Sequence, residues 1–455
     1  KLRLSYGTSG SDNISSNLWR ETWSSLGSGS NHTPINGELG SFYRPDGLLA
    51  NSKLKWETTI SRNFGIDFGF LNNRVNGSLE VYWNTTKDLL MAVPVDNTTG
   101  YSYQFQNFGK TSNRGIELSV NVDVINKGDF RFNVGAIYNY NRNKLDELPN
   151  ADQYLYSSYW GSSSLVPTND YMFVEGKAIG LVRGFISEGY YTVDDFNYTN
   201  GQYVLKEGVP DITKALTATY MHPYDLPAGQ TAFPGAAKFR DVDESGTVDL
   251  DDATCLGEVM PRHTGSFQLN FNYKNFDFST NFNWTAGGKV YNVAAMINAS
   301  GQEFDGIGAQ RASWVADAFK VYNVNAAGDL YAVTNPDELR ALNANAKYHL
   351  PYHQSGITSS EWLENGSYLR LQTLTLGYTL PKNWLTKVHV DKIRLYLTAT
   401  NLFTITGYSG IDPEVNANPT GQSGFYSDLR IFPTLNMDFG TYPRARTFTF
   451  GANIT

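Results

Sequence analysis

The acidic segment Asp241–Asp252, with the sequence DVDESGTVDLDD, has the residue types and the spacing of a calcium-binding loop. An EF-hand loop places oxygen ligands at positions 1, 3, 5, 7, 9 and 12 and a glycine at position 6 for the sharp turn. Gly246 occupies that glycine position, and an aspartate replaces the usual final glutamate. Oxygen ligands favour Ca²⁺, with Mg²⁺ as the alternative. The predicted ligands are Asp241, Asp243, Ser245, Thr247 (through its carbonyl), Asp249 and Asp252.

The surroundings of this loop restrict its role. The flanking helices of an EF-hand are not evident in the sequence, so the alternative is an acidic surface turn that binds no ion. If an ion is bound, we expect it to brace a long loop and to take no part in catalysis.

A second candidate is a cluster of aromatic residues in a predicted loop. Flat rings can stack on sugars or receive the side chains of a peptide, so these residues are candidates for substrate binding. The simpler interpretation, which we favour, is packing within the loop or a belt of rings at a membrane interface. The cluster consists of Tyr154, Tyr156, Tyr159 and Trp160.

Catalytic patterns are missing from the sequence. Among the six histidines only His349 and His353 are close together, and the intervening Pro351 spoils the helical spacing of a zinc site. The single cysteine, Cys255, excludes an intrachain disulfide, and no G-x-S-x-G motif is present. We therefore predict no enzymatic activity.

The elements that must position these residues are long β-strands. From Thr447 to Thr455 apolar and polar residues alternate, which is typical of a strand with one apolar face. Nine earlier segments behave in the same way. In the strand at 368–380 the alternation changes phase, which predicts a β-bulge near Gln372–Thr373. The ten predicted strands lie at 2–7, 63–70, 78–84, 116–124, 130–140, 267–273, 276–284, 368–380, 392–401 and 447–455.

The connections between these strands are alternately short and long. The longest ones occupy residues 144–261, which contain the acidic loop 241–252, and residues 288–365. Short turns at one end and long loops at the other are typical of an outer-membrane β-barrel. The polar faces carry small uncharged groups, as suits a confined, water-filled lumen, and only 18% of the chain is charged. The pattern predicts an antiparallel transmembrane barrel with extracellular long loops.

One segment fits two different positions in the fold. Residues 181–193 also have strand character, and they would need a partner strand before residue 262 in order to enter the barrel. Otherwise they belong to a subdomain formed by the loop.

The chain opens with strand-like residues, KLRLSYG, so we expect it to be a piece of a longer protein.

Several segments together resemble the C-terminal half of SusC/RagA-type TonB-dependent transporters of Bacteroidetes. The resemblance extends over nearly the whole chain. The segments are LKWETT (54–59), NFGKTSNRGIEL (107–118), NGSYLRLQTLTLGYTLP (365–381), NLFTITGYSGIDPEV (401–415) and YPRARTFTFGANIT (442–455).

This resemblance implies a 22-stranded barrel in the outer membrane, of which this chain would supply the C-terminal 10–12 strands. The plug, the segment that contacts TonB and the remaining N-terminal strands would lie upstream, outside this chain. The resemblance also implies a SusD-like surface lipoprotein as partner, and import of oligosaccharides or, in some members, of peptides. Related transporters carry an acidic loop similar to 241–252, which supports the metal prediction.

Two other classes of function fit the sequence less well than a transporter. An outer-membrane barrel enzyme would need a catalytic set near a strand end, and none is found in the sequence. A soluble carbohydrate-binding β-protein would expose its polar face to bulk water, where more Lys and Glu are expected. The formal net charge of −8 argues against a nucleic-acid partner.

Overall fold

The main element of the structure is an antiparallel sheet of ten strands. The computed structural model describes residues 1–12, 18–21, 23–25, 34–35, 38–39, 43–45, 48–101, 103–148, 153–158, 165–217, 222–300, 312–350, 356–385, 390–415 and 435–455. The strands are β1 (Leu2–Ser11), β2 (Glu57–Phe70), β3 (Val75–Lys87), β4 (Lys110–Lys127), β5 (Phe130–Glu147), β6 (His263–Tyr273), β7 (Phe276–Ala286), β8 (Tyr368–Thr379), β9 (Ile393–Thr406) and β10 (Thr447–Ile454). All ten predicted strands are confirmed.

Each strand pairs with its neighbours in chain order, as in an up-and-down barrel. The register keeps one apolar face continuous across the sheet. One row of directly opposed residues illustrates this continuity: Leu4, Phe64, Val81, Ile116 and Tyr140. The predicted pairing of the final strand with residues 392–401 is also confirmed, since Leu395, Leu397 and Ala399 face Ala452, Phe450 and Phe448.

The predicted β-bulge in β8 is present. The register shifts between Leu371 and Thr373 against both neighbouring strands, so Gln372 is the extra residue. Its side chain hydrogen-bonds Asn283 of β7 on the polar face. In a regular strand Leu371 and Leu374, three residues apart, would point to opposite faces. Because of the extra residue, they lie on the same apolar face.

Short and long connections alternate along the sheet. The turns Gly128–Asp129 and Lys274–Asn275 contain two residues each, and both have a positive φ at the first position. A positive φ matches the twist of tight hairpins, which explains why these turns are so short. The long connections all leave the opposite end of the sheet, and the two longest join Glu147 to His263 and Ala286 to Tyr368.

The long connections contain many short strands. The candidate sites lie among these strands. These strands are Trp23–Ser25, Pro34–Ile35, Glu38–Leu39, Tyr43–Pro45, Leu48–Leu49, Leu90–Pro94, Tyr103–Asn107, Gln153–Tyr156, Leu165–Val166, Tyr171–Val174, Leu181–Gly184, Ser187–Tyr190, Phe196–Thr199, Gln202–Leu205, Asp211–Ile212, Ala237–Phe239, Thr247–Val248, Thr254–Glu258, Lys289–Asn292, Tyr322–Val324, Leu330–Ala332, Gly356–Ile357, Leu363–Asn365 and Met437–Asp438.

The helices are short and lie between the strands. Asn335 caps one of them by accepting hydrogen bonds from the N–H groups of Asp337 and Glu338, with Pro336 at the first helical position. Within the described part of the chain, no helix has the length and the apolar character needed to cross a lipid bilayer. The helices are Lys214–Thr217, Val293–Ser300, Ala312–Asp317, Pro336–Leu342 and Lys382–Leu385, with 3₁₀ turns at Asn97–Thr99, Val193–Asp195, Leu250–Asp252 and Ser360–Trp362.

The ambiguous segment 181–193 belongs to these connections. Leu181–Gly184 pairs with Tyr171–Val174 on one side and Thr254–Glu258 on the other, in a four-stranded sheet separate from the ten strands. The subdomain alternative is therefore the correct one. The reason is burial on both faces: Leu181 and Val182 are both buried, and this would not hold for a strand between lipid and lumen.

The buried apolar residues of the described chain lie mainly in the connections. One cluster joins residues from four connections, including Met91, Tyr171, Tyr291 and Met437. A second cluster joins residues 148–262, which we call the first long connection, with residues 287–367, the second, and it contains Phe185, Phe233 and Phe319. The connections thus form compact structure above the sheet, stabilised by the same apolar burial that stabilises a soluble domain.

An ionic network ties three of the resembling segments together. Arg370 in β8 is only 3% exposed and donates to Asp412 at 2.5 Å and to Thr404 at 3.1 Å. Its Nη1 atom lies 3.3 Å from Glu414, at ion-pair distance but without hydrogen-bond geometry. Arg444, just before the last strand, donates to the same Glu414 at 2.6 Å. The network therefore fixes both described ends of the last connection to the wall of the barrel.

We predict that Arg370→Met destabilises the full-length barrel by about 3 kcal/mol, because the poorly exposed Asp412 loses its cation. The measurement is the urea midpoint of the heat-modifiable gel shift in detergent. Arg444→Gln is the control, since its pair with Glu414 is exposed and is worth only about 0.5 kcal/mol. Equal midpoints for wild type and Arg370→Met would show that the network has no stabilising role.

Candidate functional site

The acidic loop lies in the first long connection, between two short strands. Thr247–Val248 pairs in parallel with Asp211–Ile212, and this pairing holds the second half of the loop in place. Three carboxylates come close together in the loop. One oxygen from each of Asp241, Asp243 and Asp252 lies within 4.8 Å of the other two. Two oxygens that are each about 2.4 Å from a common ion are separated by at most about 4.8 Å, so the three carboxylates are close enough together to share one cation.

The backbone of the loop holds these carboxylates in position. Ser245 donates its N–H to both Asp241, at 3.1 Å, and Asp243, at 3.0 Å, and Gly246 donates to Asp241 at 2.7 Å. The hydrogen bond from the Ser245 N–H lowers the pKa of Asp243, which favours the charged form that a cation needs. Gly246 has φ +87°, a conformation that disfavours any residue with a Cβ.

The remaining predicted ligands are engaged with the loop itself. The Asp249 carboxylate accepts from the N–H of Asp251 at 2.8 Å and lies outside the group of three carboxylates. The Ser245 hydroxyl donates to the Thr247 carbonyl at 3.0 Å. Asp252 is 1% exposed and accepts from Val242 and Asp249. Whether all six bind an ion stays a prediction.

The candidate aromatic residues divide into two pairs. Tyr156 is 5% exposed and stacks on Tyr171 and Phe173, at ring-centroid distances of 5.6 and 4.8 Å. Tyr154 is partly buried and packs against the same apolar cluster. Tyr159 and Trp160 lie outside the described residues. Their proposed contact with substrate stays a prediction.

A buried acid–base pair was not found from the sequence. His349 Nε2 lies 3.8 Å from Glu361 Oε2, and Trp314 packs edge-on against the imidazole ring. Burial lowers the pKa of His349 to about 4 and raises the pKa of Glu361 to about 7, so the environment favours the uncharged form of each group. His353, the other half of the weak zinc candidate, lies outside the described residues.

The polar face of the sheet carries charge pairs that reach across glycines. Arg3 and Glu80 lie on either side of Gly65 and meet at 2.6 Å, while Arg3 also binds Asp67. A Cβ at position 65 would lie 3.2 Å from the Arg3 guanidinium. Glycine thus leaves room for side chains from strands two apart to meet. The sequence signal is a glycine at a polar-face position of an alternating strand.

The same arrangement recurs further along the sheet. Arg394 of β9 reaches over Gly377 of β8 to bind Asp277 of β7 at 2.5 Å. Tyr82 donates its hydroxyl over Gly115 to Asn141 at 3.1 Å. The two ion pairs neutralise charge inside the barrel, and many of the neighbouring polar-face residues carry amides and hydroxyls. Such a surface can exchange hydrogen bonds with a hydrated, hydroxyl-rich or peptide ligand.

Comparison with known proteins agrees with the fold. Residues 1–402 match the family described as "TonB dependent receptor-like, beta-barrel". The whole chain is 30% identical to TonB-dependent receptor P3 of Formosa agariphila and covers 39% of its length. It is 26% identical to TonB-dependent receptor SusC of Bacteroides thetaiotaomicron and covers 37% of that protein.

A solved structure has the same fold. The RagAB peptide transporter matches with a TM-score of 0.66 at 20% identity, over 100% of this chain and 40% of the other. The chain therefore spans about two fifths of the length of the relatives that it matches. With a family match over most of its length and ten strands in barrel order, the chain belongs to the β-barrel family of TonB-dependent receptors, as the resemblance to SusC/RagA-type transporters predicted.

Proposed function

We propose that this chain forms part of an outer-membrane transporter that imports oligosaccharides with energy supplied through TonB. The observation that carries this proposal is the two-faced register of the ten strands, in a chain that is similar to SusC along its entire length. The apolar face meets lipid and the polar face lines a water-filled passage. The plug and the TonB-contacting segment belong to upstream parts of the same protein.

The polar face supports an oligosaccharide as substrate. Besides the neutralised charge pairs, it presents a set of amides and hydroxyls that can donate and accept hydrogen bonds. A peptide is the alternative, and the fold match to the RagAB peptide transporter favours it. The polar-face residues include Asn139, Gln268, Asn270, Asn281, Asn283 and Thr375.

The long connections are the proposed contact region for a SusD-like lipoprotein. They emerge at the end of the barrel that faces the cell exterior in this class of protein. Their apolar clusters make them compact, so they present a shaped surface. We propose that transport requires the lipoprotein and the barrel together, and that the chain itself catalyses no reaction.

We also propose that the acidic loop binds Ca²⁺ as a structural ion. Three carboxylates crowded within 4.8 Å repel one another unless a cation neutralises them. Asp241, Asp243 and Asp252 would hold the ion, with Ser245, Thr247 and Asp249 completing the oxygen ligands. The ion would brace the first long connection near the partner.

For transport, we expect Asn281→Val combined with Asn283→Val in the full-length protein to lower the initial rate of oligosaccharide uptake by about fivefold or more, since a lost hydrogen bond is worth about 1 kcal/mol. Radiolabelled uptake by whole cells is the measurement. Thr280→Val is the matched control, because Thr280 is adjacent in sequence and its register position is on the apolar face.

The substrate class is tested by deleting the gene of the full-length protein. Loss of growth on oligosaccharides supports the proposal, whereas loss of growth on peptides alone overturns it in favour of the peptide alternative.

Copurification of a surface lipoprotein with the tagged barrel tests the partner. A barrel that transports fully without any such lipoprotein would contradict the two-component assignment.

For the ion, Asp241→Asn combined with Asp243→Asn should remove one equivalent of calcium per full-length protein, measured by elemental analysis after dialysis. The first long connection should also become more sensitive to protease, as it should in wild type treated with a calcium chelator. Asp251→Asn removes a nearby charge outside the predicted ligand set and should leave the calcium content unchanged. Unaltered calcium in the double variant would contradict the site.

A further inference from the structure

A row of basic residues crosses the apolar face at its long-loop end. The register places Arg62 of β2, Trp83 of β3, Arg114 of β4 and Arg142 of β5 side by side. Each has the parity of the apolar face, since two residues further toward the short turns the same strands carry Phe64, Val81, Ile116 and Tyr140. The three guanidinium groups therefore belong to the outer surface of the barrel and not to its lumen.

The height of this row coincides with the edge of the membrane. On β5 the apolar face runs from Phe130 to Tyr140, and Arg142 follows directly. Eleven residues at about 3.3 Å each, on strands tilted by about 40°, span about 28 Å, close to the thickness of the apolar band of a barrel. Arg142 and its row thus lie at the level of the lipid headgroups, where tryptophan is also favoured.

The arginines have no acidic partner among the residues that the structure describes. Arg62, Arg114 and Arg142 are all exposed, and none forms an ion pair or a side-chain hydrogen bond there. The carboxylates near Arg142, on β5 and at the end of the connection that follows it, are used elsewhere. Asp146, Glu147 and Glu258 pair with Lys144, Lys110 and Arg262.

Arg114 and Arg142 are direct cross-strand neighbours. Like charges in directly opposed positions of an antiparallel pair destabilise the sheet unless something neutralises them. Lipid lies on the turn side of the row, so the anionic groups of the bilayer surface are within reach of these guanidinium groups. A guanidinium group binds phosphate oxygens through two parallel N–H donors, which makes phosphate the matching anion.

We propose that Arg62, Arg114 and Arg142 form a binding site for the phosphate group of an outer-leaflet lipid, the lipid A part of lipopolysaccharide. The phosphate lies between Arg114 and Arg142, while the acyl chains follow the apolar band below and Trp83 packs at the boundary. The proposal needs only the membrane orientation of the barrel and is independent of the transported substrate.

The test uses the full-length protein purified from outer membranes in mild detergent. Lipid A bound per barrel is counted by mass spectrometry in wild type and in the variant Arg62→Gln/Arg114→Gln/Arg142→Gln. We expect the triple variant to retain about one tenth of the lipid A that wild type retains, or less, since each basic residue near an anionic surface contributes to binding. The heat-modifiable gel shift checks that both proteins are folded, and the single variant Arg142→Gln serves if the triple variant is not.

The matched control removes three positive charges at the opposite end of the ten-stranded sheet. The residues Lys127, Arg131 and Lys274 are exposed at the short turns, and their replacement by Gln should leave lipid A retention unchanged.

Adding lipids back to delipidated protein identifies the source of the phosphate. Lipid A should rebind, whereas dephosphorylated lipid A and inorganic phosphate alone should bind far more weakly.

Three results would overturn the proposal. The first is equal lipid A retention in wild type and in the folded arginine variants. The second is equal binding of phosphorylated and dephosphorylated lipid A, which would assign the interaction to the acyl chains. The third is binding of inorganic phosphate as strong as that of lipid A, which would make the site one for a soluble anion. Uptake assays are not involved, so failure of the transport proposal would be seen separately.

Discussion

The structure depends on one constraint: backbone N–H and C=O groups inside a bilayer must be bonded to each other. Ten strands meet this requirement through an uninterrupted antiparallel ladder, and a single slip of register would turn apolar side chains from lipid into the lumen. The bulge at Gln372 shows how strictly this is maintained. It compensates for the change of phase in the alternation of apolar residues within β8, so Leu371 and Leu374 both stay on the apolar face. The sheet also determines where the long connections begin.

Because the barrel wall has lipid on one side and water on the other, buried apolar cores form elsewhere. In the described residues they form in the long connections, where Tyr171 and Phe233 are almost fully buried. These cores convert very long loops into compact structure above the barrel. The Arg370 network then attaches that structure to the wall, with Asp412 and Glu414 on the last connection.

The polar face shows how charge is managed inside the barrel. Arg3 meets Glu80 across Gly65, and Arg394 meets Asp277 across Gly377. Glycines in a strand interior are unfavourable by themselves, but here each provides the space for an ion pair between strands two apart. The outer face behaves differently, since Arg114 and Arg142 lie opposite each other without a described acidic partner. Neutralisation from within the chain on one face contrasts with the proposed neutralisation by lipid on the other.

The sequence by itself determined the ten strands, their faces, the bulge and the family, because alternation with period two is a local property that neighbouring residues reveal. It also singled out the acidic loop, whose predicted ligands lie within twelve consecutive residues. Only the tertiary structure assigned Leu181–Gly184 to a loop sheet, buried Tyr156, joined Arg370 to Asp412, placed His349 beside Glu361 and aligned Arg62 with Arg114 and Arg142. These relationships join residues far apart in the chain. They depend on strand register and on the packing of long connections, which no local pattern encodes.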